Sequence, residues 1–133
     1  MDRRNLAYWV ATALFVAALG AGGLADLTGG LDEAMAHLGY PTSTARILGV
    51  WKLAGVAALV APGLPRVKEW AYAGFTFNLT GAFVAHMAAG DGLGGSVAPL
   101  VLLALGAVSY GLRPAHRRLP WPAAAAATRV AAA

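Results

Sequence analysis

The stretch ARILGVWKLAGVAALVA, residues 45–61, decides the fold. Apart from Arg46 and Lys52, it contains only apolar residues and glycine. About 17 residues of this kind are just enough for a helix to cross the hydrocarbon core of a bilayer. The stretch therefore predicts a membrane-spanning helix with a lysine at membrane depth.

The composition of the whole chain also favours a membrane protein. Of the 133 residues, 59% are hydrophobic and 12% are charged, whereas soluble domains average roughly 45–50% and 25%. The chain contains no cysteine, which excludes disulfides and thiol chemistry by the chain itself. A bilayer is therefore the expected solvent.

Three further segments have the length and apolar character of a span. Together with the first stretch they predict an all-α integral membrane protein, a four-helix bundle with up-down-up-down topology. The predicted membrane domain covers residues 1–118, and the alanine-rich residues 119–133 are expected to form a disordered tail. The predicted spans are residues 8–24, 45–61, 70–89 and 96–112.

The basic residues predict the orientation. They lie before the first span, between the second and third, and after the fourth, so an alternating path puts all of them on one side. The positive-inside rule then places both termini in the cytoplasm. The net charge of +4 is thereby explained without nucleic acid. The residues concerned are Arg3, Arg4, Arg66, Lys68, Arg113, Arg117 and Arg118.

The first outer connection contains a short amphipathic pattern. Leu31, Met35 and Leu38 follow one another at helical spacing and share a face. Asp32 suits the positive end of such a helix. The pattern predicts a short helix on the outer membrane surface, either as a lid over the bundle or as a plain surface helix.

Lys52 lies about seven residues into its predicted span, at a depth of roughly 10 Å. Insertion scales give an unpaired lysine there a cost of about 2.5–3.5 kcal/mol. Either its side chain snorkels to the headgroups, or it meets a polar partner inside the bundle. The candidate partners are His86 and Asn78 on one face of the third span, and Asp26 at the end of the first.

These residues predict a polar pocket in the outer half of the bundle, below the short helix. The chain shows no pattern typical of a metal, haem, flavin or iron–sulfur site, although a quinone could bind without one. The predicted catalytic residues are Lys52, His86 and Asp26, and the predicted ligand-binding residues are Asn78, Trp51 and Arg46. His37 lies on the same outer side as His86. The two histidines are therefore a second, weaker candidate as a pair of metal ligands.

The inner turn between the second and third spans is expected to be structural. Glu69 stands at the positive end of the third helix. Arg66 and Lys68 are its neighbours in sequence, and we predict that Glu69 pairs with one of them.

The segment ARILGVWKLAGVAALVAPGLPRVKEWAYAGFTFNLTGAFVAHMAAGD, residues 45–91, resembles the DoxX-like family of small bacterial four-span membrane proteins. The resemblance is strongest in LGVWKLAG, in KEWAYAGF and in the ending from His86 to Asp91. It implies that Lys52, the Lys68–Glu69–Trp70 turn and His86 are recurring features of the family. More distant relatives include subunits of thiosulfate:quinone oxidoreductases, but those roles use additional subunits or sequence.

Two classes of function remain open at this stage. The first is an enzyme or enzyme subunit that acts on a lipophilic small molecule. Because desolvation lowers the pKa of a lysine and raises that of a carboxyl group, acid–base chemistry such as isomerisation or epoxide opening suits the residues. Quinone-linked redox chemistry is another version. The second class is a non-catalytic subunit that binds lipid or anchors a partner, either as a homo-oligomer or in a membrane complex.

Overall fold

The structure is a computed structural model and describes residues 2–120. Within that range the chain is helical and contains no strand, which confirms the all-α prediction. Nearly all of the predicted tail, from residue 121 onwards, lies outside the described residues. The elements are α1 (Arg3–Thr28), α2 (Asp32–His37), α3 (Thr42–Val60), α4 (Pro65–Ala88), α5 (Gly92–Leu112) and a 3-10 turn (Ala115–Arg117).

Three of the described helices, α1, α3 and α5, are long and apolar enough to cross a membrane. The fourth long helix, α4, has 24 residues but carries more polar side chains. Lys68, Glu69, Asn78 and His86 lower its mean hydropathy along its whole length. That α4 also crosses the membrane remains a prediction, supported by its length and by its place in the bundle.

The four long helices pack in a ring. Helix α1 lies between α3 and α5, and α4 closes the ring between the same two neighbours. Thr12 near the start of α1 meets Ser109 near the end of α5, with 2.7 Å between the hydroxyl oxygens. Tyr72 in the first third of α4 meets the same Ser109 hydroxyl at 2.7 Å. Gly23 near the end of α1 packs on Gly49 in the first half of α3. Lys68 near the start of α4 reaches Ala58 near the end of α3. Successive long helices therefore run antiparallel. We call the end where α1 and α4 begin the basic end, and the opposite end the α2 end.

Aromatic rings that pack against glycines of neighbouring helices form the core. The central cluster is Phe15, Leu19, Leu59, Tyr72, Phe75 and Leu79. A Cβ atom on Gly106 would lie 2.9 Å from the Phe15 ring, and one on Gly55 would lie 2.5 Å from the Phe75 ring. The rings occupy the space that side chains at these two positions would need. Each glycine thus lets one helix approach its neighbour closely.

The closest approach of α1 and α3 also depends on glycine. A Cβ atom on Gly49 would lie 2.8 Å from the backbone oxygen of Gly23 and 2.9 Å from Cγ of Leu27. Backbone thus packs almost directly on backbone at this point. The contact fixes how α3 is rotated and shifted along α1, and so determines which side chains meet further along the interface.

The predicted amphipathic helix is present as α2. Met35 is buried, while Leu31 and Leu38 on the same face are half-buried. Asp32 at its start forms a two-fold ion pair with Arg46 of α3, with distances of 2.8 and 2.9 Å. The apolar face and this ion pair hold α2 across the end of the bundle.

Buried cations close the basic end of α3. The Lys68 side chain is 1% exposed, and its ammonium donates hydrogen bonds to the backbone oxygens of Ala58 at 2.7 Å and of Ala61. Arg117 donates to the backbone oxygen of Leu59 at 2.9 Å. The last carbonyl groups of a helix lack partners within it and carry partial negative charge. Both cations satisfy them.

Glu69 does not pair as predicted. Its carboxylate lies 2.9 Å from Nη1 of Arg113 and accepts a hydrogen bond from the hydroxyl of Tyr110 at 2.9 Å. Lys68 points instead at the end of α3. These contacts join α4 to the end of α5, and Glu69 also lines a cavity between the two helices. Its structural role stays a prediction, and the expected partners, Arg66 and Lys68, were wrong.

Candidate functional site

Lys52 meets Asp26 inside the bundle. The lysine Nζ lies 2.7 Å from Oδ2 of Asp26. The Asp26 side chain is 1% exposed and the Lys52 side chain 17%. Of the three predicted partners, the aspartate is thus the one that receives the ammonium. The ion pair joins α1 to α3.

The glycine contact between α1 and α3 produces this pair. A Cβ atom on Gly49 would lie 3.0 Å from Cβ of Asp26, and one on Gly23 would lie 3.1 Å from Cβ of Lys52. Each charged residue thus starts beside the glycine of the opposite helix, and the long lysine side chain spans the remaining distance to the carboxylate. A Cβ atom on Gly22 would lie 3.9 Å from the lysine Nζ, so the missing side chain also leaves space for the ammonium. Close packing therefore provides both the partner and the room that a lysine at membrane depth requires.

Lys52 also borders a groove between α3 and α4, which we call the seam groove. These two helices pack less closely than the other neighbours in the ring. The groove has a volume of about 550 Å³ and a mostly apolar lining, with Lys52 and Asn78 as its polar members. Its other lining residues are Leu48, Trp51, Ala54, Gly55, Ala58, Val67, Trp70, Ala71, Gly74, Phe75 and Phe77.

The seam groove opens sideways, along the surface that faces lipid in a membrane-embedded bundle. Trp51, Trp70 and Phe77 stand along its edges and are each more than two-thirds exposed. Gly55, Ala71 and Gly74 belong to the lining between them. A molecule dissolved in the bilayer could enter between the helices without passing through water.

The depth of the groove differs from the prediction. Lys52 lies ten residues after the start of α3, and Asn78 ten residues before the end of α4. Both are therefore about 15 Å from the α2 end, near the middle of the bundle. From there the lining continues through Trp70 to Val67 at the basic end. The groove therefore runs from mid-height of the bundle toward the basic end, whereas the predicted pocket lay in the half below α2.

His86 lies in a different cluster. Its Nδ1 is 2.6 Å from Oδ2 of Asp91, and Nε2 of His37 is 2.6 Å from Oδ1 of the same carboxylate. His86 comes eight residues after Asn78, so about 12 Å of helix separates it from the level of Lys52. A lysine side chain cannot bridge that distance. The prediction that these two residues share one pocket is wrong.

The second cluster, His37–Asp91–His86, ties three segments together at the α2 end. Hydrogen bonds from His86 and then His37 lower the pKa of the Asp91 carboxyl from its ordinary value of 3.8. The two imidazoles approach different oxygens and do not converge on one point. Among the described residues, no three histidine or acidic side chains are arranged to hold a metal ion.

A second groove lies beside this cluster. It has a volume of about 640 Å³ and runs between the connection after α2 and the last turns of α4. His37 and Tyr40 line one side, and Gly81, Val84 and Ala88 the other. The position of α2 therefore decides how open this groove is.

The remaining predicted ligand-binding residues divide between two places. Trp51 and Asn78 line the seam groove. Arg46 does not line it. Its guanidinium donates to the carboxylate of Asp32 and to the backbone oxygen of Asp26, and it thereby connects α2 to the bundle.

A buried hydrogen-bond network near the basic end was missed by the sequence analysis. The hydroxyl of Ser109 lies 2.7 Å from those of both Thr12 and Tyr72. Arg113 lies over the Tyr110 ring, with 3.9 Å between its guanidinium carbon and the ring centre. Single hydroxyl residues and a tyrosine on separate helices form no pattern in the sequence, so this network had no detectable signal.

Comparison with known proteins identifies the family. The model of the DoxX-like family matches residues 10–109, which is most of the chain. The chain therefore belongs to the DoxX-like family, as its resemblance to that family implied. No curated protein and no solved structure matches it.

Proposed function

We propose that this member of the DoxX-like family binds a lipophilic small molecule in the seam groove. The observation that carries the proposal is the position of Lys52. Its ammonium is held by a buried aspartate at mid-depth, beside an apolar groove that opens toward lipid. Small-molecule sites are typically apolar cavities of about 300–1,000 Å³ with a few placed polar groups. The seam groove has this character.

Lys52 and Asn78 supply the polar contacts for the ligand. An ammonium group has three N–H donors, and Asp26 accepts from one of them. Within the described part of the chain the other two have no hydrogen-bond partner, so they would donate to an oxygen of the ligand, together with the amide of Asn78. Hydrogen bonds of this kind are stronger in a site of low dielectric than in water. Lys52 and Asn78 would thus orient the bound molecule.

The ion pair also supports a catalytic version of the proposal. Lys52 would donate a proton to an oxygen of the ligand, with Asp26 keeping the lysine in place. In the isomerisation of a carbonyl compound, the lysine amine would then take a proton from the carbon beside the carbonyl. In epoxide opening, the proton would go to the ring oxygen as the C–O bond breaks, and a water molecule would supply the new hydroxyl group and return a proton to the lysine. Neither reaction needs a cofactor. The pairing of Lys52 with a carboxylate is the observation that favours this version over passive binding.

The membrane orientation belongs to the same proposal. The basic end faces the cytoplasm of a bacterial cell, with both termini on that side of the inner membrane. The turn after α3 and the segment after α5 both lie at the basic end. Reporter fusions after Pro65 and after Arg118 should both give a cytoplasmic signal, and a periplasmic signal from either would reject the orientation.

Ligand binding can be tested with the groove tryptophans. The chain has four tryptophans, and replacing Trp9 and Trp121 with phenylalanine leaves Trp51 and Trp70 as reporters on the groove. Titration with a bromododecanone should quench their fluorescence saturably. Gly74→Leu should weaken binding at least tenfold, because a side chain at Gly74 points into free space in the groove lining.

Gly81→Leu provides the matched control. Gly81 also lies in α4 and also has free space around it, but it lines the other groove. Quenching in this variant should match that of the reporter protein, which is the chain with Trp9 and Trp121 replaced by phenylalanine. If both leucine variants bind the bromododecanone as the reporter does, the seam groove is not the site.

A further inference from the structure

We infer that the ligand of the seam groove is uncharged and carries a hydrogen-bond acceptor that sits in the middle of the bilayer. This inference rests on the proposed function and names the class of molecule that the groove would take. It is drawn from two independent features of the site: the charge balance around Lys52, and the depth of the polar end of the groove.

The charges around the polar end cancel. The ammonium of Lys52 faces the carboxylate of Asp26 at 2.7 Å. Arg46, whose guanidinium donates to the backbone oxygen of Asp26, is itself paired with Asp32 at 2.8 Å. An anionic ligand would therefore add an unbalanced charge directly beside the buried aspartate. A buried charge without its own partner is strongly unfavourable, so this site discriminates against anions.

The depth of the polar end means that the headgroup of an ordinary lipid cannot lie beside Lys52. Both Lys52 and Asn78 lie about 15 Å from the α2 end, so in a bilayer with roughly 30 Å of hydrocarbon they would lie well below the headgroups. Phospholipids and fatty acids keep their charged groups at the membrane surface. Their acyl carbons would lie beside Lys52, and carbon atoms offer nothing to an N–H donor.

A neutral molecule with a ketone, epoxide or ester oxygen meets both conditions. Its oxygen accepts from Lys52 and Asn78, while its apolar part extends along the groove toward the basic end. The lining of α4 runs from Asn78 back to Val67, eleven residue steps or about 16 Å. The small residues Ala58 and Gly74 in the lining leave room for a chain or a ring.

The charge preference can be measured with three brominated probes of equal chain length. These are a bromododecanone, a bromododecane and a bromododecyl sulfonate, which is anionic at every working pH. Each is titrated into the reporter protein with Trp51 and Trp70, in detergent, and the dissociation constants are compared. Only quenching that Gly74→Leu removes is counted as binding in the groove.

We expect the ketone to bind at least tenfold more tightly than each of the other two probes. If the dissociation constant of the ketone differs less than tenfold from that of either other probe, the inference is overturned. The proposed function still stands in that case, provided that Gly74→Leu removes the quenching. If no probe gives quenching that depends on Gly74, the proposed function fails. Asp26→Asn supplies a second test, because it leaves the positive charge of Lys52 without a counter-charge. In this variant the ratio of the sulfonate dissociation constant to the ketone dissociation constant should fall at least tenfold.

Discussion

The Nζ atom of Lys52 lies 2.7 Å from Oδ2 of Asp26, and the aspartate side chain is 1% exposed. The lysine is therefore half of a buried ion pair and does not snorkel to the headgroups. Without Lys52, a carboxylate remains in the bundle with no cation of its own.

The first prediction is that either single substitution in this pair destabilises the protein. Lys52→Met leaves Asp26 unpaired, and Asp26→Asn leaves Lys52 unpaired. Breaking a buried pair in this way typically costs about 3–5 kcal/mol. The free energy of unfolding in detergent, measured by titration with a denaturing detergent, should fall by about that amount in each single variant.

The double variant Asp26→Asn/Lys52→Met supplies the control. It removes both charges, so it should be more stable than either single variant, and the two effects should not add. Additive effects would show that the side chains do not interact. A Lys52→Met protein as stable as the wild type would likewise contradict the pairing.

The second prediction concerns Lys68, the buried cation that caps α3. Lys68→Met removes its hydrogen bonds to the backbone oxygens of Ala58 and Ala61. Leaving buried acceptors unsatisfied costs about 1–3 kcal/mol, and the unfolding free energy should fall accordingly. Arg66→Met removes the same charge from an exposed position two residues away and should change stability by less than about 0.5 kcal/mol. Equal effects in the two variants would argue against capping.

Hydrophobic patterning was sufficient to predict the helices and their up-and-down order. A run of about 20 apolar residues leaves few alternatives in a bilayer. The pairing of Lys52 with Asp26 was also predictable as one of three options. An unpaired lysine inside a membrane is unfavourable, and few polar groups lie within its reach. What the pattern left open was the depth and rotation of each helix.

Depth and rotation depend on contacts between helices, which a single sequence does not display. His86 was placed near Lys52 because the end of each span was uncertain by several residues, and each residue moves a side chain by about 1.5 Å. Glu69 was assigned to its sequence neighbours because its actual partner, Arg113, is distant in the chain. The seam groove depends on loose packing between α3 and α4, which leaves no local signal.

The third prediction tests the glycine contact that fixes the register of α1 and α3. In Gly49→Ala the new Cβ atom would lie 2.8 Å from the backbone oxygen of Gly23, so the helices must separate. Overpacking of this kind typically costs about 1–3 kcal/mol, and the unfolding free energy should drop by a similar amount. Gly20→Ala in α1 meets no atom within 4 Å, and it should leave stability unchanged or slightly raised. A Gly49→Ala protein as stable as Gly20→Ala would show that the contact does not set the packing.

The fourth prediction is that His37 fastens the free end of α2. The start of α2 is held by the ion pair between Asp32 and Arg46, and its end by His37 on Asp91. His37→Ala should therefore increase amide hydrogen exchange at residues 34–39 severalfold, while exchange in the middle of α4 stays the same. Glu33→Ala, an exposed change on the same helix, should leave exchange at residues 34–39 as it is in the wild type.

The pH dependence of stability gives an independent check on the same cluster. Because hydrogen bonds from His86 and His37 lower the pKa of the Asp91 carboxyl from 3.8, the folded state favours the carboxylate. The stabilisation is complete above the ordinary pKa and is lost as the pH falls through the lowered one. The difference in unfolding free energy between the wild type and Asp91→Asn should thus shrink as the pH is lowered from about 5 to 3. A difference that stays constant over this range would mean that the carboxylate is not held by the two imidazoles.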